Sequence, residues 1–172
     1  MRYYSGFCLQ NEQELFDGFI IKSDFCICGF SYGAIKPVEY ALNSTERIDK
    51  LQLFSPAFFN DKDDKYKRMQ LMFFTKDKNA YTKNFLQNVA YPKELDLNPY
   101  LYDGTFDELK ELLYYQWSED TVKSLIARGI FIEVYLGAED KIVDSSLAKE
   151  FFKKCGCEVY FIKNVGHLLK AI

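Results

Sequence analysis

Short apolar runs recur along this chain, each followed by a stretch with helical spacing, and that alternation limits the fold more than any other feature. The runs D-F-C-I-C at 24–28 and I-F-I-E-V-Y-L at 130–136 are almost continuously apolar, the second interrupted only by Glu133. A strand with no polar face has to be covered on both sides, as inside a parallel sheet layered by helices. Further strand candidates lie at 2–5, 48–54 and 157–162. Helices are expected at 11–20, 33–43, 104–128 and 145–154, the last with Ser145 and Ser146 as N-cap candidates and Gly156 just past its end. The expected fold is therefore α/β, with about five mainly parallel strands flanked by helices. One domain spanning 1–172 is large enough to bury a core.

Residues 57–117 break the alternation. They lie between the third and fourth strands and read as two or three amphipathic helices. In Y-K-R-M-Q-L-M-F-F the apolar positions 66, 69, 72 and 73 follow helical spacing, and Pro92 and Asn98-Pro99 mark turns. Insertions at the carboxyl ends of strands sit over the ligand crevice of such sheets, so a helical lid is expected here.

Composition excludes several classes. A net charge of −3 with pI ≈ 5.3 argues against general affinity for nucleic acid. No run of 18 apolar residues is present, and M-R-Y-Y-S-G-F opens the chain without an apolar leader, so neither membrane insertion nor export is expected. Five cysteines, Cys8, Cys26, Cys28, Cys155 and Cys157, form an odd set that fits a reducing, cytoplasmic setting. The two C-x-C pairs lack the usual spacing of structural zinc sites and read as small buried apolar residues. No metal or cofactor is expected.

Three motifs carry chemistry. Gly29-Phe30-Ser31-Tyr32-Gly33 follows an apolar strand and precedes a helical run. In that setting G-x-S-x-G makes a sharp turn that exposes the serine hydroxyl at the top of the sheet, which makes Ser31 a candidate nucleophile. Gly137-Ala138-Glu139-Asp140 follows the strand at 130–136 and offers a carboxylate to orient a histidine. Asp140 is the choice there, with Asp144 the fallback and Glu139 less suited. His167, the single histidine, follows the last strand in Val165-Gly166-His167, ahead of an expected short terminal helix. It is the candidate general base. The backbone N–H groups of Tyr32 and Phe7 are the candidate oxyanion donors, with Cys8 the fallback for Phe7. Gly6 would permit the close approach this needs.

These residues resemble the α/β-hydrolase family. The resemblance rests on S-G-F at 5–7, G-F-S-Y-G at 29–33, L-F-S-P at 53–56, G-A-E-D-K-I-V at 137–143 and V-G-H at 165–167, in the chain order serine, acid, histidine. It spans the whole chain and implies a shortened α/β-hydrolase fold. Family members usually begin with two more strands and carry a further strand and helix before the elbow. Here 24 residues separate Gly6 from Ser31, and Ser5 stands where histidine is common. Strand 2–5 should then lie beside 24–28, and a homo-oligomer could compensate for the smaller core.

Within that family, the motif order, the helical insertion and the opening R-Y-Y-S-G-F-C-L-Q-N-E look like a shortened pimeloyl-[acyl-carrier-protein] methyl ester esterase of biotin synthesis. That resemblance implies hydrolysis of a methyl ester on an acyl chain borne by acyl carrier protein, and names this carrier as partner. Residues 65–93 hold seven basic side chains against the single acid Asp77. Lys67, Arg68, Lys76 and Lys83 are the candidate contacts to an acidic carrier. Alternative readings are a carboxylesterase or thioesterase on another acyl substrate, and a non-catalytic binding protein on a degraded hydrolase fold.

Overall fold

The computed structural model describes residues 1–171. Five strands form one sheet: β1 (Arg2–Tyr4), β2 (Cys26–Phe30), β3 (Lys50–Phe54), β4 (Phe131–Gly137) and β5 (Glu158–Ile162). They lie in the order β1-β2-β3-β4-β5 and every neighbouring pair is parallel. Strand β1 pairs with β2 in the register Arg2 to Ile27 and Tyr4 to Gly29, so the 5–7 loop leaves the sheet next to the turn after β2.

Six helices accompany the sheet: α1 (Ile35–Asn43), α2 (Asp64–Lys76), α3 (Lys78–Ala90), α4 (Phe106–Tyr114), α5 (Glu119–Ala127) and α6 (Ser145–Cys155). Alternate residues of each strand serve opposite faces, and both faces are covered. Ile27, Leu51, Leu53, Val134 and Leu136 pack with residues of α1, α5 and α6. Cys26, Cys28, Phe30, Phe54 and Tyr135 pack with Leu9, Phe16 and Ile20 from the connection between β1 and β2. Helices α2, α3 and α4 come from the insertion between β3 and β4.

Local chemistry sets the boundaries. Asp63 caps α2 by accepting from the Tyr66 N–H, and Asp77 caps α3 by accepting from Ala80. Thr105 and Glu108 form a reciprocal capping box at α4. Gly156 ends α6 in the left-handed conformation, at φ 94°.

Five expectations need correction. The N-cap of α6 is Asp144, whose side chain accepts from the Ser146 and Leu147 N–H groups, and not Ser145 or Ser146. The helix expected over 11–20 is one 3-10 segment, Glu12–Phe16, ended by Asp17. The helix expected over 104–128 is two, α4 and α5. The break at 115–118 is fixed from outside, because Trp117 donates its indole N–H to the Ala57 carbonyl and its main chain bonds the Asn60 side chain twice. Helix α2 buries Lys67 and Phe74, whereas Met69, Met72 and Phe73 are exposed, so its inward face is not the stripe the apolar spacing suggested. No terminal helix follows His167 among the described residues; the chain there is turn.

All five cysteines are free and buried. Glu133, the lone charge in its strand, is buried with three donors on it. Lys50 Nζ lies at 2.5 Å, Gln52 Nε2 at 2.8 Å and the Tyr135 hydroxyl at 2.9 Å. Among the described residues no helix is long and apolar enough to cross a membrane.

Candidate active site

The sharp turn after β2 is built by two glycines that touch. A Cβ on Gly29 would lie 2.1 Å from the Gly33 carbonyl oxygen, and one on Gly33 would lie 2.2 Å from that of Tyr4. Only the absence of both side chains lets β1, β2 and the following turn approach this closely. Between them Ser31 takes φ 55°, a left-handed conformation costly for a serine, and opens a 3-10 turn (Ser31–Ala34) that runs into α1. Its carbonyl accepts from Ala57 N–H at 3.1 Å, which ties the turn to the segment after β3.

His167 arrives from the other side of the sheet. Gly137 and Gly166 pack so tightly that a Cβ on Gly137 would lie 2.2 Å from the Gly166 oxygen. Main-chain bonds from Ala138 to Ile162 and from Glu139 to Val165 join the two loops. The Ser55 hydroxyl donates to the His167 carbonyl at 2.7 Å, and Ser55 is itself fully buried.

These supports bring three side chains into line. His167 Nε2 lies 2.8 Å from Ser31 Oγ, and His167 Nδ1 lies 2.6 Å from Asp140 Oδ2. The other Asp140 oxygen, Oδ1, accepts from the N–H groups of Ile142 at 2.7 Å and Val143 at 3.1 Å, which fixes the carboxylate plane. With a carboxylate accepting at Nδ1, the imidazole proton sits there and the Nε2 lone pair faces the serine hydroxyl. Ser31 is 4% exposed and His167 0%, so the pair is screened from bulk water. Such a line can take a proton from Ser31 as its oxygen attacks a carbonyl and return it to a leaving group. Of the alternatives for the acid, Asp144 caps α6 by accepting from Ser146 and Leu147, and Glu139 is exposed.

Tyr32 stands in the first turn of the segment after Ser31, where main-chain N–H groups have no partner within the helix. The 5–7 loop flanks the same point: a Cβ on Gly6 would lie 3.5 Å from Ser31 Cβ. Phe7 is buried and its ring meets Phe74 of α2 and Phe85 of α3, with centroids 6.1 and 5.4 Å apart. Cys8 follows at φ 60°.

The helical insertion covers this region. Besides the Phe7 contacts, the Tyr91 carbonyl abuts Gly166, and Glu111 of α4 accepts from the Tyr32 hydroxyl and from Lys36, both at 2.5 Å. Partial burial raises the Glu111 carboxyl, but these two donors outweigh it and hold the group below its ordinary range. A chamber of about 90 Å³ lies between α2, α3, α4 and Lys141-Ile142, next to Asp140 in the chain. Phe59, Tyr81, Phe85 and Leu113 are among its walls. A larger groove of about 880 Å³ runs along α3 and residues 94–103 and is lined by none of Ser31, Asp140 and His167.

Of the four basic residues expected at a partner surface, Lys67 is wrongly placed. It is 5% exposed, with its ammonium 5.4 Å from the Tyr114 ring centroid. Arg68 pairs with Asp64 at 2.9 Å. Lys76 and Lys83 are exposed and form no ion pair among the described residues. The sequence reading passed over two polar residues beside the site. Ser55 was visible only as part of L-F-S-P. Glu12 sits three residues after Leu9 and four before Phe16, an acid in the register of a buried face.

No protein-family model matches this chain. No curated protein matches it either. Solved structures do. A hydrolase from Oleispira antarctica superposes with TM-score 0.64 at 10% identity, over 84% of this chain and 58% of that one. A putative hydrolase from Bacillus subtilis gives 0.57 at 17% identity, over 84% and 54%. A carboxylesterase from the same organism gives 0.57 at 19% identity, over 91% and 57%. The chain thus spans a little over half the length of these structures. It has a shortened α/β-hydrolase fold.

Proposed function

We propose that this chain is a serine carboxylesterase, with Ser31 as nucleophile, His167 as general base and Asp140 as the residue that orients it. The observation that carries this reading is the unbroken hydrogen-bonded line from Ser31 Oγ through His167 to Asp140. Ser31 Oγ attacks the ester carbonyl while its proton passes to His167 Nε2. The N–H groups of Tyr32 and Phe7 receive the developing oxyanion. As the intermediate collapses, His167 protonates the departing alkoxide and an acyl-serine remains. Water then attacks the acyl-serine with His167 again as base, releasing the carboxylic acid and restoring Ser31.

The substrate proposed is the methyl ester of pimeloyl-acyl carrier protein, giving free pimeloyl-acyl carrier protein and methanol. Three things support it: the motif order and opening segment described above, a lid over the buried serine, and the exposed, unpaired Lys76 and Lys83 toward an acidic carrier. Lys67 is withdrawn from that surface and Arg68 is partly neutralised. A second reading, an esterase on a different acyl substrate, draws on the carboxylesterase among the similar structures.

Intact-protein mass spectrometry of methyl-pimeloyl-acyl carrier protein decides between them. Loss of the mass of one methylene with wild type, and not with Ser31→Ala, is the expected result. An unchanged carrier alongside Ser31-dependent cleavage of simple esters would move the assignment to the second reading. An unchanged carrier with no Ser31-dependent cleavage of any ester would point to a binding protein.

A further inference from the structure

Glu12 is a carboxylic side chain with 0% exposure, lying beneath the loop that flanks Ser31. Its Oε1 accepts the Gly6 N–H at 2.8 Å and the Tyr3 hydroxyl at 3.1 Å. Its Oε2 has no hydrogen-bond partner among the described residues. Burying a carboxyl with one oxygen unpaired is unfavourable, and an apolar side chain of similar size would fill the same space without that cost. The acid at this position therefore points to what its paired oxygen holds. That is the main chain of Gly6, one residue before Phe7 and beside Ser31. The Leu9 N–H closes the same turn onto the Gly6 carbonyl at 3.1 Å. Gly6 is thus held at both ends, by Glu12 at its N–H and by Leu9 at its carbonyl. Burial, with the Glu12 carboxyl second, pushes the Tyr3 hydroxyl above its ordinary range, which keeps it a donor to Oε1.

We propose that Glu12 is a positioning residue for the reaction. By gripping the Gly6 N–H it fixes the peptide planes of the 5–8 loop, so that the next N–H faces the oxyanion formed on the substrate carbonyl. This rests on the esterase reading above. Glu12 does not touch substrate; it acts through the loop. The grip needs an acceptor at the position of Oε1, so a glutamine serves and a leucine or a shorter aspartate does not.

The test is steady-state hydrolysis of p-nitrophenyl butyrate by wild type, Ser31→Ala, Glu12→Leu, Glu12→Gln and Glu12→Asp, with circular dichroism and melting temperature on each. The expected result is Ser31-dependent turnover by wild type. Glu12→Leu should lower kcat by about 10²-fold with KM within about twofold, as for a misplaced oxyanion donor. Glu12→Gln should stay within about threefold of wild type. If Glu12→Leu does not fold, the glutamine and aspartate variants decide: glutamine retains kcat and aspartate loses it. A folded Glu12→Leu with unchanged kcat would overturn the proposal, as would a folded Glu12→Gln that loses as much as leucine. Absence of Ser31-dependent turnover in wild type would instead remove the esterase reading, and the proposal with it.

Discussion

Gly33→Ala tests how closely strand, turn and flanking loop must approach. The added Cβ would stand 2.2 Å from the Tyr4 carbonyl oxygen and 2.4 Å from that of Ser5. Ordinary contact begins near 3.4 Å, so one main chain must retreat by about 1 Å. Neither obstacle is a flexible side chain. Overpacking of this kind costs about 1–3 kcal/mol, and main-chain obstacles put this case at the upper end. For a chain of this length, about 3 kcal/mol lowers the melting temperature by roughly 6–12 °C. The retreat also moves the 5–7 loop relative to Ser31, and a displacement of about 1 Å at reacting groups is worth about 10²-fold in rate. Urea denaturation and p-nitrophenyl ester turnover on the same preparation read both effects. Gly18→Ala is the control, since nothing lies within 4 Å of its added carbon; it should change stability by less than about 1 kcal/mol. If Gly33→Ala matches wild type in both measurements, the close-approach account of this turn is wrong.

Perturbations at four further places have expected outcomes. Burial raises the Glu133 carboxyl, but donation from Lys50, Gln52 and Tyr135 outweighs it and holds the group below its ordinary range. A depressed carboxyl stabilises above its unfolded pKa, near 4.3, and that stabilisation fades as pH falls through the folded value. Glu133→Ala should therefore cost about 3 kcal/mol at pH 7, and Glu133→Gln should flatten the acid limb of a urea-stability profile below about pH 4.5. Asp140→Asn should lower kcat by about 10³–10⁴-fold by disturbing the imidazole tautomer. Asp144→Ala should instead cost about 1 kcal/mol of stability through its lost cap and spare turnover. Lys76→Glu with Lys83→Glu should slow association with an acidic carrier in stopped flow, and the difference from wild type should shrink in 0.5 M salt.

Much of this was legible in the residues because the decisive signals are local. Nearly continuous apolar runs located β2 and β4, and the candidates at 2–5, 48–54 and 157–162 fall on β1, β3 and β5; β2 runs two residues beyond 24–28 because Gly29 and Phe30 still pair with β3. The order of Ser31, Asp140 and His167, after β2, β4 and β5, pointed to side chains that the fold does bring together. What could not be read depends on partners distant in sequence. The 104–128 helix breaks where Trp117 is claimed by Ala57 and Asn60, and no signal within the segment announces them. Charge alone placed Lys67 on the surface, but helix α2 turns it against Tyr114. Glu12 was hidden because acids are ordinarily solvated, and only its register between Leu9 and Phe16 marked it as buried.

The central claim is that Ser31 is a nucleophile activated by His167. Labelling folded protein with a fluorophosphonate, followed by intact mass and peptide mapping, tests it most directly. The expected result is one adduct on Ser31 in wild type, none on Ser31→Ala, and labelling at least about 10²-fold slower in His167→Ala. A folded wild type that takes no label, or one that carries it on another residue, would contradict the account.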